Sequence, residues 1–132
     1  MNPIQLVILT LALHFISDFN LQIGARLHEM KQKEWWTRMF EEYGIIDNKK
    51  YRNDWFVCLL IHSFVWTAIT FAPMIWLYGN KFITYCVLGF EFVVHAMIDN
   101  AKANDMTINL VEDQLWHLGQ IALGMIMIFG LK

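Results

Sequence analysis

His14 and Asp18, His95 and Asp99, and Asp113 and His117 form three imidazole–carboxylate pairs, each spaced four residues apart. That spacing puts both members of a pair on one face of a helix. An imidazole nitrogen and a carboxylate oxygen one turn apart can hold the same cation, as in the metal sites of helix bundles. His62 adds a fourth imidazole, with Cys58 a turn before it; Gln22 extends the first stripe, and Gln114 and Gln120 accompany the third. Glu91 stands one turn before His95, and Lys102 about a turn after Asp99. His and Asp without thiolates suit zinc, manganese or iron, so His14, Asp18, His62, His95, Asp99, Asp113 and His117 are the expected metal ligands. The set exceeds the four ligands of one zinc, which implies either two divalent ions or some residues that orient the others. Two further arrangements use the same residues. One is a hydrogen-bond and salt-bridge network with Lys102 on Asp99 or Asp18. The other is haem on two axial imidazoles, which leaves the carboxylates without a role.

The elements that must position these residues are apolar. Of 132 residues, 57% are hydrophobic, with six Trp, ten Phe and eight Met, and mean hydropathy is +0.38. So greasy a short chain reads as one integral membrane domain, 1–132. A net charge of −2 gives no basic excess for nucleic acid. Cys58 and Cys86 lie inside apolar runs and make no disulfide framework. Four runs, about 3–19, 55–78, 82–98 and 108–131, are each long enough at ~1.5 Å per residue for a hydrocarbon core of ~30 Å. The first has no basic start, so it reads as a span rather than a cleaved signal. The expected fold is all-α: a four-transmembrane-helix bundle, with an interfacial helix in the connection 20–54. There Leu27, Met30, Trp36, Met39, Phe40 and Tyr43 recur at helical spacing and Gly44 offers a stop.

With four crossings, residues 20–54 and the connection carrying Lys102 fall on one side, together holding eight of the ten basic residues. The positive-inside rule makes that side cytoplasmic and both termini periplasmic, in a multi-pass protein of the bacterial inner membrane. On this topology His14, His62, His95 and His117 lie about 9, 10, 5 and 14 Å from the cytoplasmic helix ends, at one level of the bilayer. Ionisable side chains facing lipid would cost a few kcal/mol each, so they are expected to face inward and meet.

The blocks His14-Phe-Ile-Ser-Asp18-Phe19-Asn-Leu21-Gln22, His62, His95-Ala-Met-Ile-Asp99-Asn-Ala-Lys102 and Asp113-Gln114-Leu-Trp-His117 resemble the signature of a small bacterial and phage membrane family classified as a domain of unknown function. The resemblance covers nearly the whole chain. More remotely, the design is similar to membrane-bound metal-dependent hydrolases. It implies a metal site and leaves the reaction open; the Trp-rich stretch 28–54 matches none of these blocks.

A divalent ion beside a basic interface suggests a hydrolase acting on a lipid or lipid-linked phosphoester at the inner leaflet. Lys102 would hold the phosphate and Glu91 would act as general base; the plainer roles are a snorkelling lysine and a protonated buried carboxyl. Other functions fit the same residues: a metal or proton transporter, or a phage membrane effector acting on a host membrane protein, with the cluster purely structural. Membrane lipids are the expected partners, and a homo-oligomer would cover part of the apolar exterior.

Overall fold

The computed structural model describes residues 1–21, 26–45, 49–79 and 81–130, all of them helix, turn or irregular chain with no strand. Gln22, Asn80, Leu131 and parts of the 20–54 connection fall outside the described residues. Among the described residues seven α-helices follow in order: α1 Pro3–Phe15, α2 Leu27–Met30, α3 Lys33–Glu42, α4 Asp54–Thr70, α5 Ala72–Tyr78, α6 Phe82–Ala103 and α7 Leu110–Gly130. A π-helical turn, Ile16–Leu21, extends α1, and a 3-10 turn, Lys49–Tyr51, precedes α4.

The all-α expectation agrees with this chain, whereas four membrane spans do not. Among the described residues only α6 is long and apolar enough to cross a membrane, and the bent pair α4–α5 could add at most one more. Helix α1, 13 residues, reaches only about 20 Å at ~1.5 Å rise. The second apolar run is broken: Pro73 has no N–H to bond the Ile69 carbonyl and its ring crowds that turn, so α4 ends at Thr70 and α5 departs at 57°. In α7, Glu112, Asp113, His117 and Gln120 dilute the hydropathy of the first half. The assignment of connections and termini to sides of a membrane rested on counting four crossings and loses its basis. The helix expected over the Trp-rich connection is divided into α2 and α3 by a turn at Lys31 and Gln32. Gly44, at φ +64°, ends α3 in the left-handed conformation that glycine adopts without strain, and Ile45 N–H returns to the Phe40 carbonyl at 2.9 Å.

The long helices each bury one stripe. In α6 it is Thr84, Val87, Glu91, His95 and Asp99; in α7, Asp113, His117, Gln120, Ile121, Met125 and Ile128; in α1, Leu6, Thr10 and His14. Every stripe runs from apolar to ionisable, and α6 packs on α4 and α7 while α1 lies against α4. Leu6, Trp66, Phe71, Met74, Val87, Ile121, Met125 and Ile128 therefore join in one apolar core. The same helices, continued one or two turns, bring their polar residues together at its edge.

Candidate metal centre

Four helices deliver the imidazoles. His14 from α1, His62 from α4, His95 from α6 and His117 from α7 are all fully buried, as are Asp99 and Asp113. Six of the seven expected ligands fall into three overlapping groups: Asp18, His62 and His95; His95, Asp99 and His117; and Asp18, Asp113 and His117. Within each group one ligand atom per residue lies within 4.8 Å of the others. Asp18, His95 and His117 each belong to two groups, an arrangement with donors enough for two adjacent ions.

Asp99 is the hub. Its Oδ2 lies 2.8 Å from His62 Nε2 and 3.5 Å from His95 Nε2, and its Oδ1 lies 3.5 Å from His117 Nε2. Asp113 Oδ1 approaches the same His117 nitrogen, Nε2, to 3.3 Å. Asp18, on the π-helical turn, reaches His62 Nε2 at 3.9 Å and accepts from Gln114 Nε2 at 3.0 Å. That wide turn is the local irregularity that often accompanies helical functional sites.

The donor set passes a chemical test for a cation. His95 Nε2, His117 Nε2 and Asp113 Oδ1 are buried and make no well-aligned hydrogen bond among the described residues; His117 Nε2 and Asp113 Oδ1 form an ion-pair contact at 3.3 Å, and both histidines face Asp99 at 3.5 Å. Leaving such a group unsatisfied costs about 1–3 kcal/mol. One coordinated ion satisfies several of them together, with imidazole and carboxylate donors of the kind zinc, manganese and iron accept.

His14 stands outside the three groups, contrary to its expected place among the ligands. Its Nδ1 accepts from Trp66 Nε1 at 3.0 Å, which leaves the Nε2 proton to donate to Gln114 Oε1 at 3.3 Å. Both ring nitrogens are committed, so His14 orients Gln114, which in turn holds Asp18 and Asp113. Lys102 does not pair with Asp99 or Asp18. Its ammonium donates to Asp113 Oδ2 at 2.6 Å. Glu91 is buried one turn deeper than His95, with neither carboxyl oxygen hydrogen-bonded among the described residues. It lies over Gly124, where a Cβ would collide with its Oε1.

Two participants escape the sequence reading. Lys31, counted only as a loop cation, is buried with its ammonium on Asp99 and 2.9 Å from His62 Nε2. Trp66 stacks on His95 at 3.9 Å and 12° besides donating to His14. The i, i+4 spacing from His62 to Trp66 was a usable signal for the second; nothing in the sequence marked Lys31 out from the six other basic residues of the 20–54 connection.

Charge is distributed accordingly. Burial works against the His117 imidazolium, but its contacts with Asp113 and Asp99 prevail and raise it to about 9. Burial likewise opposes the Asp113 carboxylate, yet His117 and Lys102 hold it below its ordinary value. Comparison with family models, curated proteins and solved structures finds no match.

Proposed function

We propose that the protein is a membrane-associated metal-dependent hydrolase of a lipid or lipid-linked phosphoester. The observation that carries the metal is the set of buried, unbonded His95, His117 and Asp113 atoms converging with Asp99 from separate helices. Membrane association is supported by α6 and by the exterior, where Ile8, Phe64, Trp76, Met97, Leu115 and Ile126 are largely exposed. Large apolar side chains exposed on five helices suit contact with lipid or with another protein. A bacterial inner membrane as its location rests on the family resemblance alone.

A bound divalent ion would supply Lewis-acid polarisation of a phosphoryl oxygen and acidify a water. The chain's own residues divide the remaining work. Asp99 and His117 would hold the ion, with His62, His95, Asp18 and Asp113 as the further candidate ligands. His14 and Gln114 fix the orientation of the carboxylates. Glu91, the buried carboxyl with neither oxygen engaged, accepts the proton. Lys102, held by Asp113, keeps that carboxylate in place rather than gripping a phosphate. Among the described residues the histidines, Asp99 and Asp113 of the centre are buried, and α2 packs against α4 with Lys31 beside them.

The test is phosphate release from a panel of short-chain lipid phosphates by detergent-purified protein with added zinc or manganese. Turnover that chelation abolishes and that Asp99→Asn reduces at least 100-fold is expected. Stoichiometric metal without turnover on any substrate would leave a metalloprotein and remove the hydrolase.

One observation favours a second reading. The Lys31 ammonium already provides His62 and Asp99 with a positive partner, as a purely structural network would. In that case the protein contains no metal and keeps its fold in chelator.

A further inference from the structure

The Trp-rich connection forms a pocket of its own. A cavity of about 450 Å³, within the usual range for small-ligand sites, lies between α3 and the start of α4. Its aromatic floor is made by Trp36, Phe40, Tyr51 and Trp55, with Trp36 and Phe40 centroids 6.0 Å apart and Phe40 and Tyr51 5.9 Å apart. Lys33 and Arg52 stand at its rim, both exposed. Among the described residues neither has a carboxylate partner, and no acidic side chain lines the cavity.

Charge decides the class of occupant. Aromatic walls alone would also suit a quaternary ammonium, but the Lys33 ammonium sits 4.4 Å from the Trp55 ring centroid and occupies that cation–π position itself. What lacks a carboxylate among the described residues is positive charge: a guanidinium able to grip a phosphate with two N–H groups and the Lys33 ammonium on the same cavity, with Asn53 as a further donor.

Position decides the source. The Lys33 backbone N–H donates to Asn104 Oδ1 at 2.8 Å, and Asn104 caps the end of α6, which among the described residues is the unbroken helix long and apolar enough to cross a membrane. If α6 crosses a membrane, as the proposed function has it, the pocket lies at the level where that helix leaves the hydrocarbon, the depth at which Trp and Tyr collect and lipid phosphates lie.

We propose that this pocket binds the phosphate of an anionic lipid headgroup, with Lys33 and Arg52 on the phosphate and the aromatic floor under the glycerol and first methylenes. It is distinct from the buried His/Asp centre and does not depend on a metal. The full chain in neutral detergent, with chelator present, is titrated with dioctanoyl phosphatidic acid, dioctanoyl phosphatidylcholine and inorganic phosphate, and binding is counted by native mass spectrometry. Phosphatidic acid is expected to bind at least tenfold more tightly than either competitor, and the double variant K33Q/R52Q to lose that preference. Should the double variant lose its helical circular dichroism, R52Q alone, on an exposed side chain, is expected to weaken binding at least threefold. Equal binding of phosphatidylcholine, or undiminished binding by the variants, overturns the site. Equal binding of inorganic phosphate overturns the lipid assignment.

Discussion

The ammonium of Lys31 lies 2.9 Å from His62 Nε2 while donating to Asp99. A side chain from the turn after α2 thus already occupies donor atoms that a metal ion would need, and the two cations compete for the same carboxylate. Lys31→Met, which keeps the apolar stem and removes the charge, is expected to raise divalent-ion affinity at least tenfold at pH 7, measured by isothermal titration. Unchanged or weaker binding would mean that Lys31 supports the site instead of competing for it.

The His117 imidazole carries a second prediction. Its folded value, about 9, stands above its ordinary 6.5. The stability it contributes is therefore complete below pH 6.5 and lost as pH rises through about 9. The metal-free protein is expected to show a falling Tm over that interval, and His117→Gln to flatten the fall. Metal affinity should rise over the same interval, because an ion bound at Nε2 must displace a proton. A wild-type Tm independent of pH between 6.5 and 9 would contradict the charge assignment.

Much of this centre was legible in the sequence because i, i+4 spacing is a property of the helix and does not depend on what surrounds it. His95–Asp99 and Asp113–His117 sit where that spacing puts them, on the buried stripes of α6 and α7. The four-span topology failed for a different reason. An apolar run records burial or lipid contact alike, and its length says nothing of the bend that Pro73 introduces or of the polar first half of α7. His14 was misplaced among the ligands because spacing cannot show which ring nitrogens neighbours already occupy; Trp66 and Gln114 take both. Lys31 was hidden because its contacts are with residues 31 and 68 positions away, beyond any local pattern.

Close packing of α7 on α6 gives a third prediction. A Cβ at Gly124 would strike Glu91 Oε1 and lie 3.1 Å from Phe71 Cε1. Gly124→Ala should cost about 1–3 kcal/mol through overpacking, read as a lower Tm. Gly119→Ala on the same helix, with nothing within 4 Å of its Cβ, should be neutral or slightly stabilising. Equal effects at the two positions would show that the Glu91 carboxyl does not lie against α7.

The claim that a divalent ion is held by His95, Asp99 and His117 is tested most directly by elemental analysis of protein purified in detergent without chelator. Wild-type protein is expected to carry one or two equivalents of zinc, manganese or iron per chain, and a folded His95→Ala/His117→Ala variant less than a tenth of that. Wild-type protein free of metal after growth and purification with added zinc and manganese, or a variant that retains the full complement, would contradict the account.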